Sequence, residues 1–220
     1  IYNDWKSVLK LLKNIDLQTI NWNAEVSVLL VNDFSTEERP KFMTKFQKIK
    51  SLRVMNMKSN QGHARCNATG LKFLIEKEDF DYVILMDGDG EDRPEELTLL
   101  FNKSVESPLK TITADRIKRS EGLFFRFLYN SHKILTYVFT GRLIKFGNYS
   151  CLPKKDIAKL ILSPALWSSF SGSISKVIPG KASIPSIRGK RYFGPSKMNL
   201  YNLILHSFSI IAVFRRAVFI

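Results

Sequence analysis

Tyr82-Val83-Ile84-Leu85-Met86-Asp87-Gly88-Asp89-Gly90-Glu91-Asp92-Arg93-Pro94-Glu95 passes from an apolar run straight into a cluster of acids. Five apolar residues in a row read as a strand buried on both faces. Four carboxylates within the next six residues then end it. Like charges this close repel, and keeping them ionised requires a counter-cation. Mg²⁺ or Mn²⁺ suits the place, being hard, oxygen-seeking and commonly shared between carboxylates and substrate phosphates. Glycines at 88 and 90 let the backbone approach a ligand closely. A plainer reading stands beside this one: an acidic turn capping a helix that enters at Pro94, with Asp92 at the N-cap. The two are compatible, since Asp92 can cap while Asp87, Asp89 and Glu91 face a metal. The spacing is not that of an EF-hand.

Working outward, Val26–Val31 and Leu52–Met57 are two more apolar runs of buried-strand type, and Lys110–Ala114 is a fourth strand candidate. Helical patterns cover Trp5–Ile15, Pro40–Ile49, His63–Glu76 and the stretch from Pro94 to about Lys103. Such alternation predicts an α/β class with a Rossmann-like, mostly parallel sheet flanked by helices. Ligands bind at the carboxyl ends of strands in such sheets. Asn32-Asp33, Asn60-Gln61-Gly62 and Asp87-Gly88-Asp89 all fall there. His63 beside Gly62 is either a helix-cap histidine or a phosphate contact. Beyond residue 116 the pattern changes: a long aromatic helix over Gly122–Thr140, turns over Gly141–Pro153, a short helix Asp156–Leu162, loop over Ser163–Pro185, and a basic strand within Ala182–Phe193.

The chain has 220 residues, 45% of them hydrophobic, enough for one sizeable core and not a disordered tail. Cys66 and Cys151 match no metal or redox spacing and read as reduced thiols. The net charge of +14 is unevenly placed: residues 1–100 carry 14 Lys+Arg against 16 Asp+Glu, residues 101–220 carry 20 against 4. The first half can gather carboxylates around a cation, and the second attracts an anion: nucleic acid, phosphorylated substrate or acidic lipid. The start at Ile1 without Met suggests an excised portion of a longer protein. Met198–Ile220 is apolar but carries Arg215 and Arg216, which suits an interfacial helix or the approach to membrane spans beyond Ile220. An ordinary core helix is the alternative.

Several segments together resemble glycosyltransferase family 2. Val31-Asn32-Asp33-Phe34-Ser35-Thr36 is similar to its V-D-D-G-S-T segment, and Tyr2-Asn3-Asp4 to the tail of its P-x-Y-N-E opening. Asn60-x-Gly62-x-Ala64 resembles its N-x-G-x-x-x-A region. Asp87 to Glu95 is similar to D-A-D-L-Q-H-P-P-E of the dolichol-phosphate mannosyltransferase branch, which includes bacterial polyprenyl-phosphate glycosyltransferases. Arg191-x-x-Gly194-x-Ser196-Lys197 matches that branch's R-x-x-G-x-S-K. The resemblance implies a GT-A fold with a nucleotide-sugar half (1–115), an acceptor half (116–197) and a membrane-interface segment (198–220). It implies that Tyr2, Asp4 and Asp33 hold the nucleoside, that Asp87 and Asp89 face ribose and metal, and that Glu91 adds a third metal oxygen. Arg191, Ser196 and Lys197 would close over the diphosphate or the acceptor phosphate. Arg116, Arg119 and Arg126 stand where the branch meets its acceptor's phosphate; for Arg126 a solvated or membrane-facing helix side is the alternative. Glu91, Arg93 and Gly147-Asn148-Tyr149-Ser150 depart from the branch pattern.

The expected reaction is an inverting transfer from a UDP- or GDP-sugar, with Asp89, Glu91, Arg116 and Arg191 in the catalytic set. A hydroxyl acceptor on a lipid-linked or surface glycan would need a general base. A polyprenyl phosphate is already anionic, and the second half is rich in Arg and Lys but poor in carboxylates. The expected place is the cytoplasmic face of the cell membrane, against anionic lipid. A nucleotidyltransferase would show a Gly-rich, Lys-bearing loop after the first strand, and none appears. A nucleic-acid-binding protein, suggested by charge alone, leaves the clustered carboxylates unexplained.

Overall fold

The computed structural model describes residues 1–41, 45–118, 137, 141, 144–195 and 200–214. The elements are α1 (Trp5–Thr19), β1 (Val26–Asn32), β2 (Ile49–Asn56), α2 (His63–Lys77), β3 (Tyr82–Leu85), α3 (Leu97–Glu106), β4 (Ile112–Lys118), β5 (Phe146–Pro153), α4 (Lys154–Ile161), α5 (Phe170–Val177), β6 (Ala182–Ile187) and α6 (Leu200–Val213). β1 and β2 pair in parallel; the other four strands lie in the order β3-β5-β4-β6. β4 and β6 are parallel, and β5 runs antiparallel to both neighbours. This is the α/β architecture of sheets flanked by helices that the GT-A resemblance implies.

Helices cover both faces of the sheets. On one side Val8, Leu11, Leu12 and Ile15 of α1 join Leu97 and Leu100 of α3 against Leu30, Ile112, Tyr149 and Ile184. On the other side Ala68 and Leu71 of α2, Ile157 and Leu160 of α4, and Phe170 and Ile174 of α5 close over Phe146 and Leu152. The spacing of three and four residues in α1 puts its apolar side chains on one face. The cover is partial for the apolar runs: all four residues of β3, expected to be buried on both faces, are half-buried, and β2 buries only Ile49.

Four sequence expectations need correction. No helix covers the described residues of Pro40–Ile49; the N–H groups of Gln47, Lys48 and Ile49 go to the Asp16 carboxylate, and Ile49 opens β2. Gly141–Pro153 is not all turn, because Phe146–Pro153 forms β5, five of whose last six positions are sheltered core (Tyr149 to Pro153). Ser163–Pro185 holds a short 3-10 turn, α5 and the start of β6; Ser169 caps α5, accepting the Gly172 N–H at 3.2 Å. The strand expected within Ala182–Phe193 ends at Ile187. The aromatic helix over Gly122–Thr140, and with it Arg119 and Arg126, lies outside the described residues apart from Tyr137.

This topology gathers one edge. The carboxyl ends of β3, β4 and β6 and the amino end of β5 lie together, since Leu85 pairs with Ser150, Asp115 with Phe146, and Arg116 with Ser186. The turn after β3, Arg116, Gly147-Asn148 and the segment after Ile187 must therefore meet.

Candidate active site

The acidic turn is shaped first by its own backbone. Asp92 folds back so that its carboxylate accepts the Asp87 N–H at 2.9 Å, and Asp89 accepts the Glu91 N–H at 3.0 Å. Asp92 thus closes the turn. It does not cap the following helix, which enters through a 3-10 turn at Pro94–Glu96 whose N-cap position is Arg93. Gly90 has φ +88, and a Cβ there would sit 2.6 Å from the Tyr192 ring. Gly90→Ala is expected to cost about 1–3 kcal/mol of stability from the strained φ and the displaced ring. Denaturant unfolding reads it, and a loss below half a unit would mean that the turn adapts.

A strap, residues 188–193, lies across the turn. The Gly189 N–H donates to the Glu91 carbonyl at 2.8 Å and the Tyr192 N–H to the Asp89 carbonyl at 2.9 Å. Its root is fixed by Glu96, which accepts the Ser186 hydroxyl at 2.6 Å and the Ile187 N–H at 2.9 Å. Its middle is fixed on α1, where Asn14 donates to the Tyr192 hydroxyl at 2.8 Å and Lys10 stands over the ring. The strap brings two guanidiniums. Arg191 donates to Asp89 at 2.9 Å and also to Asp4, while Arg188 pairs with Glu91.

From the sheet side, Asn148 on β5 donates to Asp87 at 2.8 Å, and the Arg116 guanidinium stands 3.9 Å from Asp92. Gly147 allows this, because a Cβ there would lie 2.5 Å from the Arg116 guanidinium. Burial, then the neighbouring Asp87, pushes the Asp92 carboxyl up to about 7. Burial and Asp87 likewise push Asp89 up to about 6. Burial works against Asp87 too, but the Asn148 hydrogen bond and the charges of His63, Arg116 and Arg188 hold it below the ordinary carboxylate value. Asp87 is the anion of its pair with Asp92.

Asp33 sits 6% exposed at the end of β1. Its two oxygens accept the Gln61 N–H at 2.7 Å and the Gly62 N–H at 2.8 Å, fixing the entry into α2. Burial, then Asp33 beside it, pushes the Cys66 thiol up to about 12, so Cys66 stays a thiol. Asn3 binds the segment after β1, accepting the Thr36 N–H at 2.8 Å, which places Asp4 at the site and leaves Tyr2 40% exposed beside it. Ser196 and Lys197 lie outside the described residues.

The structure therefore brings Asp4, Asp87, Asp89, Glu91, Arg116 and Arg191 to one edge, with Asp33 at the neighbouring strand end. Among the described residues no three His, Cys, Asp or Glu side chains are arranged to hold a metal together. The donor chemistry nonetheless fits a hard cation. Carboxylates of Asp89 and Asp4 converge on one positive group, the Arg191 guanidinium, and the oxygen donors of the turn are of the type a hard cation prefers. Sequence reading missed Arg188, Tyr192 and Asn148 as site residues. The only signal for them was the basic run Arg188–Arg191 and the unusual Gly147-Asn148 pair.

The Glycosyl transferase family 2 profile matches residues 1–167. An undecaprenyl-phosphate 4-deoxy-4-formamido-L-arabinose transferase of Klebsiella pneumoniae (strain 342) is 23% identical over 208 residues, 93% of this chain and 62% of the relative. An uncharacterized protein of Methanocaldococcus jannaschii is 24% identical over 158 residues, 68% of this chain and 66% of the relative. The chain thus spans just under two thirds of the length of these relatives.

Proposed function

The chain belongs to glycosyl transferase family 2, and on that premise we propose that it moves a sugar, with inversion, from a nucleoside-diphosphate donor to a polyprenyl phosphate at a membrane surface. The observation that carries this is the meeting of the acidic turn with the guanidiniums of the strap at the carboxyl edge of the sheet. The printed name of the Klebsiella relative supports the acceptor class.

In this reading residues 1–115 bind the donor, 116–197 the acceptor, and 198–220 the membrane interface. Asp87, Asp89 and Glu91 hold Mg²⁺ or Mn²⁺, which when bound supplies positive charge to the departing diphosphate of a UDP- or GDP-sugar. Asp33 fixes the 61–62 loop, and Tyr2 and Asp4 line the nucleoside side. Arg191, with Ser196 and Lys197, closes on the diphosphate, and Asn148 holds Asp87 ionised. Arg116, at the end of β4, leads into the acceptor side. A phosphate acceptor needs no base, which suits a site where Asp4, Asp89 and Glu91 are already tied to guanidiniums.

Attachment to the membrane is supported by α6, which exposes Ile204, Leu205 and Phe208. Among the described residues no helix is long and apolar enough to cross a bilayer. Basic residues of the second half would each contribute on the order of 1 kcal/mol at an anionic leaflet.

The test is transfer from labelled UDP- and GDP-sugars to polyprenyl phosphate in liposomes. Label in the lipid phase is expected; label only in a glycan fraction would assign a hydroxyl acceptor instead. Proton and cation should also compete for Asp89. A carboxyl raised to about 6 is neutral below that pH and anionic above it. Mn²⁺ affinity is expected to fall about tenfold per unit as pH drops below 6 and to level off above 7. Affinity independent of pH from 4.5 to 7 would remove Asp89 from the ligand set.

A further inference from the structure

We propose that Arg188 is a second donor-binding cation of this chain, stored on Glu91 and handed to the donor's diphosphate when Glu91 exchanges it for a divalent cation. The proposal rests on the donor reading above and adds to it a residue outside the motif that carries the resemblance. Arg188 and Glu91 side chains are 14% and 13% exposed, so neither can be left unpaired in the closed site without a large desolvation cost. The same holds for Arg191 and its partners, 11% exposed against 13% and 18%.

The charges at this edge make the exchange balanced. At this edge Asp4, Asp87, Asp89, Glu91 and Asp92 face the guanidiniums of Arg116, Arg188 and Arg191, and the charges of His63 and of the Ile1 ammonium also act on Asp87. A divalent cation arriving with a diphosphate brings both signs at once. The carboxylates pass from guanidinium to cation, and the guanidiniums pass to phosphate oxygens, whose geometry their paired N–H groups fit. Nothing need travel far. Arg188 and Arg191 flank Gly189 and Lys190 on one strap, which the Glu91 and Asp89 carbonyls hold directly over the turn.

A purely structural ion pair makes a different prediction from this one. In the full-length protein, Arg188→Gln is expected to bind Mn²⁺ alone several-fold more tightly, because its competitor for Glu91 is gone. It should bind a nucleoside diphosphate with Mn²⁺ about tenfold more weakly, because a charge-assisted contact is lost. Arg188→Lys keeps the charge without the fork, and should hold Mn²⁺ affinity near wild type while weakening the nucleotide. Mn²⁺ binding is read by electron paramagnetic resonance and nucleotide binding by calorimetry, each beside a melting curve. If either folded variant binds both ligands as wild type does, or if Arg188→Gln weakens Mn²⁺ alone, the proposal is overturned. If wild type binds neither Mn²⁺ nor any nucleoside diphosphate, the donor reading itself has failed.

Discussion

Asp89→Ala is expected to abolish sugar transfer, by roughly 10³-fold or more, while the melting temperature stays within a few degrees of wild type. The two halves of that result have separate causes. Function is lost because Asp89 is proposed to carry the cation beneath the leaving diphosphate, where charge develops in the transition state. Stability is kept because the fold gains little from this side chain. Burial and the nearby Asp87 already push its carboxyl up to about 6, the mark of an anion held at a cost. Arg191 retains Asp4 as a partner when Asp89 is removed. Transfer assays beside thermal unfolding check both halves. Turnover at the wild-type rate would remove Asp89 from the mechanism.

Asp16→Ala should do the opposite, costing about 3–5 kcal/mol of stability at a distance from the site. Asp16, on α1 and 8% exposed, accepts the N–H groups of Gln47 at 2.8 Å, Lys48 at 2.7 Å and Ile49 at 2.9 Å. It joins the first helix to the start of β2, and alanine would leave three donors without their carboxylate, that of Ile49 buried and those of Gln47 and Lys48 partly so. Burial alone would raise this carboxyl, but the three donors outweigh it and hold it below the ordinary value. A depressed carboxyl stabilises the fold above the unfolded pKa near 4, and that contribution is lost as pH falls through the folded value. The wild type should therefore lose stability below about pH 4 more steeply than Asp16→Asn. Denaturant titrations at neutral and acid pH read both effects. A cost under 1 kcal/mol for the alanine variant would mean that water replaces the carboxylate.

Apolar runs of strand length announce themselves in sequence, and β1, β2 and β3 were legible for that reason, though they are only partly buried. So was α1, whose Val8, Leu11, Leu12 and Ile15 keep helical spacing. β5 was not legible, because its Gly147, Asn148 and Ser150 look like turn residues. Those small and polar types are there because Arg116 packs against Gly147 and Asn148 holds Asp87. A strand that serves a site departs from strand propensity at that site. The helix expected over Pro40–Ile49 failed for a related reason: Asp16, some thirty residues earlier, takes the N–H groups of Gln47 to Ile49, and no local pattern records such a partner. The carboxylates and Arg191 could be named from motif order. That Arg188 sits on Glu91 and Asn148 on Asp87 could not, since 97 and 61 residues separate the partners and only the sheet order brings them together.

The proposed chemistry requires a cation to bind at the acidic turn. Crystals soaked with Mn²⁺ and a uridine or guanosine diphosphate should give one strong anomalous peak among Asp87, Asp89 and Glu91, bridged to phosphate oxygens. Arg188 and Arg191 should then be on the diphosphate and no longer on the carboxylates. A nucleotide and metal seated in another cleft, with both arginines still paired to the turn, would contradict it.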